Sequence, residues 1–139
     1  MKNSLLWPGI YWNDAIVLLR VLIGIIFISH GLSIWSPESM RGFTNYLITL
    51  DVPFPLLNAY LCKSTEFIGG IFLVFGFMKR TACIFLIADM IVATFVAGQG
   101  ALLQEGRTPF IMLICCLTFL LSPTEKLSID WLIFKNVQK

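Results

Sequence analysis

The stretch Lys63-Ser64-Thr65-Glu66-Phe67-Ile68-Gly69-Gly70 decides the fold, because it places charge inside an apolar segment. That segment runs from about residue 56 to 77, long enough to cross a bilayer, which takes roughly 20 apolar residues. Glu66 would then lie near the middle of the hydrocarbon, where a charged side chain costs about 2.5–3.5 kcal/mol on insertion scales. A chain keeps such a group where a partner or a function uses it. The stretch therefore predicts a membrane bundle around a buried polar cluster.

The composition of the whole chain agrees with a membrane protein. Of its 139 residues, 58% are hydrophobic and 13% are charged, whereas soluble domains average about 25% charged residues. A soluble protein of this size has too little interior to hide so much apolar surface. The length indicates one domain over residues 1–139. The net charge of +2 is too small to indicate nucleic-acid binding.

Apolar runs and helix-ending signals predict an all-α membrane protein with four transmembrane helices in an antiparallel bundle. The predicted spans are about 14–34, 56–77, 81–97 and 108–121. Between the first two, Ser36-Pro37 is typical of a helix start, with serine at the N-cap and proline in the first turn. Phe43, Leu47 and Leu50 then recur at helical spacing. These residues predict a short amphipathic helix that lies along the membrane interface.

The basic residues predict an orientation for the four spans. One side of the membrane would carry six of them, Lys2, Lys79, Arg80, Lys126, Lys135 and Lys139. The other side would carry two, Arg41 and Arg107. The positive-inside rule then places both termini in the cytoplasm.

Three ionisable residues fall at similar predicted depths on three different helices. Counted at 1.5 Å per residue from the cytoplasmic face, Arg20 and Asp89 lie roughly 12 Å deep and Glu66 roughly 16 Å deep. Arg20 could pair with either carboxylate, so Glu66, Asp89 and Arg20 are the candidate catalytic cluster. The alternative is a structural clamp, in which Glu66 pairs with Lys63 one turn earlier on its own helix. Both interpretations stay open at this point.

Histidine and cysteine complete the candidate chemistry. His30, near the outer end of the first span, is a candidate proton carrier or binding residue, or simply an interfacial hydrogen-bonding group. The four cysteines, Cys62, Cys83, Cys115 and Cys116, lie in apolar segments without metal-ligand spacing. They are interpreted as small buried apolar side chains, and no metal site is predicted.

Several motifs, in this order, resemble the DoxX family of small bacterial membrane proteins. They are Leu19-Arg20, Gly24, Ser29-His30-Gly31-Leu32, Glu66-Phe67-Ile68-Gly69-Gly70, Phe75-Gly76, Lys79-Arg80, Asp89-Met90-Ile91-Val92-Ala93 and Ser128-Ile129-Asp130. The resemblance covers about residues 14–132. It implies four transmembrane helices in the bacterial cytoplasmic (inner) membrane.

The resemblance also implies a function, a subunit of a membrane-associated, quinone-linked oxidoreductase system. In that interpretation Arg20 and His30 would hold an anion or a quinone oxygen, and Glu66 and Asp89 would carry protons. The sequence has no haem-ligand pair, iron–sulfur spacing or nucleotide motif, so electrons would come from a redox partner protein or from the substrate. Quinone is the one cofactor that the resemblance implies, and whether the chain is itself an enzyme stays open.

Two other functions remain as alternatives. The chain could be a non-catalytic scaffold or assembly subunit whose buried charges only fix the helices. It could also be a small carrier of an anion or a lipid, which would need to oligomerise because the bundle is too small for an internally repeated transporter. The sequence does not fix a homo-oligomeric state.

Overall fold

The computed structural model describes residues 12–97, 107–122 and 128–130. In these ranges the regular structure is helical throughout, which confirms the all-α class. The elements are α1 (Trp12–Gly31) with a 3₁₀ extension (Leu32–Trp35), α2 (Pro37–Thr49), α3 (Pro55–Phe75), α4 (Lys79–Val92) with a π-helical extension (Ala93–Ala97), and α5 (Arg107–Leu121).

The helices begin and end close to the predicted positions. Ser36 accepts a hydrogen bond from the Ser39 backbone N–H, and Pro37 occupies the first turn, so α2 starts where its capping residues predict. The main difference is the end of α3, which stops at Phe75 instead of residue 77. Gly76 adopts a left-handed conformation with φ of 63°, and its N–H bonds back to the Leu73 carbonyl. Glycine is the residue that most easily ends a helix in this way.

Glycines set how α1 packs against α3, with the two helices antiparallel. A Cβ built on Gly70 would lie 2.8 Å from both the Gly24 carbonyl oxygen and the Ile28 nitrogen. A Cβ on Gly31 would lie 2.5 Å from the Phe67 nitrogen. Small residues allow such close approach between helix backbones, so these positions fix the register of the two helices.

Many large apolar side chains lie on the described surface, and three charged side chains lie inside. Leu18 and Phe85 are each 62% exposed, whereas Arg20 is only 1% exposed and Glu66 and Lys79 are also buried. The core between the helices is apolar and consists of Ile23, Phe27, Leu73, Cys83, Leu86, Met90, Met112, Cys116 and Phe119. A soluble protein usually shows the opposite distribution of charge and large apolar side chains.

Only part of the predicted membrane topology is visible in the helices themselves. Among the described residues, one helical stretch, Asp14–Trp35, is both long and apolar enough to cross a membrane. Arg107–Leu121 is apolar but shorter. The predicted lead-in before residue 12 and the segment after residue 130 lie outside the described residues.

Candidate functional site

A cavity of about 180 Å³ lies where α2 packs against the bundle. Side chains from α1, α2, α3, α4 and α5 line it, together with the π-helical extension. The lining residues are His30, Phe43, Leu47, Cys62, Lys63, Glu66, Asp89, Met90, Val92, Ala93, Val96, Thr108, Pro109 and Met112. The wall is thus mostly apolar, with ionisable groups contributed by α1, α3 and α4.

The first polar feature of the cavity is an ion pair within α3. Lys63 Nζ lies 2.7 Å from Glu66 Oε2, and both side chains are largely buried. The three-residue spacing brings the two groups onto one face of the helix. The Lys63 ammonium also lies 4.8 Å from the centre of the Phe43 ring on α2, close enough for a cation–π interaction. Lys63 therefore connects the amphipathic helix to the carboxylate of α3.

The second polar feature joins α3 to α4. The Cys62 side chain of α3 lies next to the Asp89 carboxylate of α4, and both line the cavity. Asp89 Oδ2 is buried and has no hydrogen-bond partner among the described residues. A buried polar atom without a partner is uncommon and calls for an explanation, such as a ligand or water.

The cavity wall next to Asp89 is irregular. After Val92 the chain continues as a π-helical turn over Ala93–Ala97, and the Thr94 hydroxyl donates a hydrogen bond to the Met90 carbonyl at 2.7 Å. A π-helical turn widens a helix by one residue, and such turns are frequent at functional sites. Here the turn contributes Ala93 to the cavity lining.

His30 approaches the cavity from the last turn of α1. Gly31, the next residue, lies against the backbone of Phe67. This contact brings the end of α1 to the level of Glu66, one residue before Phe67 on α3. The structure therefore gathers three of the predicted site residues, His30, Glu66 and Asp89, around one cavity.

Arg20 lies elsewhere, which corrects its predicted grouping with the two carboxylates. A Cβ built on Gly76 would be only 2.6 Å from Arg20 Nη1, so the guanidinium lies at the end of α3. Gly76 is ten residues beyond Glu66, or roughly 15 Å along a helix. The predicted depths count Arg20 from Trp12 and Glu66 from Phe77, which assumes that these two residues lie at the same level. Glycine packing sets the register instead, and α1 begins two to three turns, roughly 14 Å, beyond the end of α3.

The region around Arg20 is a second polar cluster, called the closed end here and defined by Arg20, Gly76, Lys79, Ser122 and Asp130. The buried Lys79 ammonium donates hydrogen bonds to the Ser122 hydroxyl at 2.8 Å and to its carbonyl at 3.2 Å. Asp130 accepts hydrogen bonds from the backbone N–H groups of Met78 and Lys79. Asp130 therefore caps the start of α4 and ties the C-terminal segment to the turn between α3 and α4.

Sequence reasoning missed two residues of the cavity. Cys62 was interpreted as an apolar side chain, although it shares a helix face with Lys63, Glu66 and Ala59 at helical spacing. Phe43 was placed only on the amphipathic stripe of α2. Within the described ranges, no group of three His, Cys, Asp or Glu side chains comes together as metal ligands would.

Comparison with known proteins gives one family and one relative. The DoxX family model matches residues 15–99. A Bacillus subtilis (strain 168) protein described as "Putative oxidoreductase CatD" is 28% identical over 121 residues, which cover 86% of this chain and 87% of the relative. No solved structure gives a significant match.

Proposed function

We propose that this chain, which belongs to the DoxX family, is a multi-pass subunit of a quinone-linked oxidoreductase system in the bacterial inner membrane. The observation that carries the proposal is the apolar-walled cavity with ionisable groups from three helices. The relative described as "Putative oxidoreductase CatD" supports the oxidoreductase part of the proposal. The redox chemistry, the quinone and the four-span topology are parts of the proposal.

The distribution of side chains supports the membrane part. Large apolar residues such as Leu18 and Phe85 point outward while Arg20, Glu66 and Lys79 are buried, and lipid is the solvent in which that arrangement is stable. In this topology α1, α3, α4 and α5 cross the membrane, and α2 lies at the outer interface. The excess of Lys and Arg on the opposite side supports cytoplasmic termini.

The size and lining of the cavity support a substituted ring as ligand. An apolar cavity of about 150 Å³ accepts benzene in another protein, and this cavity has about 180 Å³. Met90 and Met112 contribute flexible apolar surface that adapts to a flat ring. The unpartnered Asp89 Oδ2 offers one hydrogen-bonding position, as expected where a polar ring substituent docks.

Reduction of a quinone to a quinol takes two electrons and two protons. In this proposal a partner protein supplies the electrons, since the motifs for a bound electron carrier are missing from the sequence. The chain supplies the pocket, and the carboxyl groups of Asp89 and Glu66 exchange protons with the ring oxygens. His30, at the edge of the cavity, connects these groups to the outer surface. Arg20, at the closed end, has no part in holding the ring.

Extraction of the ligand with the protein tests this function. We expect protein purified in its native lipids to carry a quinone, in its oxidised or reduced form and here counted together as quinone content, at close to one per chain by mass spectrometry. Glu66→Gln weakens the hold on Lys63 and should lower that content at least about tenfold, as loss of a charge-assisted hydrogen bond would. Glu38→Gln, which changes an exposed carboxylate of α2, is the control and should keep the quinone.

The other results have clear meanings. A folded wild-type protein without quinone contradicts the proposal. It would favour the scaffold alternative, which the Lys63–Glu66 pair within a single helix already suits. Equal quinone content in Glu66→Gln and wild type would contradict the role of Glu66.

Reporter fusions test the four-span topology independently. A green fluorescent protein after Lys139 should fluoresce in the cytoplasm, and alkaline phosphatase fused after Asp51 should be active in the periplasm. The reverse pattern, or activity of both reporters on one side, would contradict the orientation.

A further inference from the structure

Of the two carboxylates that line the cavity, Glu66 is held by a cation and Asp89 has an oxygen without a hydrogen-bond partner among the described residues. The Glu66 carboxylate is held by Lys63 at 2.7 Å. The Asp89 carboxylate lines the same cavity, and its Oδ2 atom is buried without a partner among the described residues. A carboxylate oxygen only accepts hydrogen bonds. The position open to a ligand at Asp89 therefore calls for a hydrogen-bond donor.

We propose that the cavity binds the reduced ring, a quinol or another phenol, in preference to the oxidised quinone, with a ring hydroxyl donating a hydrogen bond to Asp89 Oδ2. This inference rests on the proposed function and adds the redox state that the site recognises. It does not depend on the identity of the ring or on the electron donor.

Quinone and quinol differ in whether they can donate a hydrogen bond to Asp89. A quinone carries carbonyl oxygens, which accept hydrogen bonds and donate none, so beside Asp89 Oδ2 two acceptors would face each other. A quinol carries hydroxyl groups, each with one proton to donate. A hydrogen bond to a charged, buried carboxylate is stronger than one between neutral groups.

Binding of four small rings to the whole protein in lipid nanodiscs tests the preference. Tetramethylhydroquinone and tetramethylbenzoquinone, compared without oxygen, differ in redox state. Trimethylphenol and its methyl ether differ only in the donor and undergo no redox change under these conditions. We expect the hydroxyl-bearing member of each pair to bind at least about tenfold more tightly.

Substitution at Asp89 should remove the preference. In Asp89→Asn the side chain offers an amide that donates as well as accepts, so the phenol should lose most of its advantage and the quinone should bind at least as well as in wild type. Asp51→Asn, at an exposed aspartate between α2 and α3, is the matched control and should keep the advantage. Cys62→Ala, which leaves the Asp89 carboxylate unchanged, should also keep it.

The outcomes distinguish this inference from the proposed function. Equal affinity of wild type for the phenol and its ether contradicts the inference even if Asp89→Asn fails to fold, and leaves quinone binding standing. Tighter binding of the quinone than of the quinol contradicts it as well. Failure of wild type to bind any of the four rings contradicts the proposed function itself.

Discussion

The two ends of the bundle both contain buried charge, but they use it differently. At the closed end, the Lys79 ammonium has two acceptors on Ser122, and the Asp130 carboxylate has two backbone donors at the start of α4. Around the cavity, the Asp89 carboxylate has an oxygen without a partner, next to about 180 Å³ of space.

This difference indicates that the closed end stabilises the fold, whereas the cavity can bind a ligand. Buried polar groups whose hydrogen bonds are satisfied mainly fix a structure. A buried group with spare capacity beside a cavity costs free energy in the empty protein, and a ligand can recover that free energy. We therefore expect substitutions at the closed end to change stability, and substitutions at the cavity to change binding.

The largest stability loss is expected at Lys79. Lys79→Met removes two hydrogen bonds from a buried ammonium and leaves the Ser122 carbonyl short of a donor, so the free energy of unfolding should fall by about 3 kcal/mol. Unfolding in mixed detergent and SDS micelles measures the change. Arg80→Met, at the exposed neighbouring residue, should shift it by less than about 0.5 kcal/mol. Similar losses in the two variants would show that the closed end is not held by Lys79.

The register of α1 against α3 depends on Gly70. Gly70→Ala places a methyl group 2.8 Å from backbone atoms of Gly24 and Ile28, which cannot move away as a flexible side chain could. The free energy of unfolding should drop by about 2 kcal/mol through overpacking. Gly42→Ala has the opposite expected sign, because a Cβ there meets nothing within 4 Å, and alanine stabilises a helix by about 0.5–1 kcal/mol relative to glycine. A Gly70→Ala protein as stable as wild type would contradict the close α1–α3 contact.

The smallest effect is expected where Phe43 meets Lys63. A double-mutant cycle with Phe43→Leu and Lys63→Met should give a coupling of about 0.5–1 kcal/mol, typical of a cation–π contact. The same micelle unfolding measures the four proteins of the cycle. A coupling free energy near zero would show that α2 does not interact with the ion pair. A coupling free energy larger than the loss measured for Lys79→Met would contradict the expected difference between the two ends.

Sequence alone predicts the local features well. Ser36 and Pro37 predict the start of α2, and the break at Asp51–Pro55 predicts that α3 follows as a separate helix. The Lys63–Glu66 pair follows from their spacing on one helix face, and it was one of two interpretations left open. These features depend on neighbours in the chain, so they can be derived without the tertiary packing.

Features that depend on packing between helices were out of reach. The place of Arg20 depends on the α1–α3 register, which Gly24, Gly31 and Gly70 set through backbone contacts. The proximity of Cys62 to Asp89 depends on how α3 and α4 are rotated relative to each other. The π-helical turn after Asp89 contains no proline or glycine from which it could be predicted.

Filling the cavity is the most direct test of its role. Ala93→Leu adds apolar volume to the lining, and Ala88→Leu adds the same volume on the exposed side of the same helix. Quinone content and thermal unfolding are measured on both variants and on wild type. We expect the quinone content of Ala93→Leu to fall at least about tenfold, while its unfolding temperature stays no lower than that of quinone-free wild type. Ala88→Leu should match wild type in both quinone content and unfolding temperature. Full quinone content in a folded Ala93→Leu protein would contradict binding in this cavity.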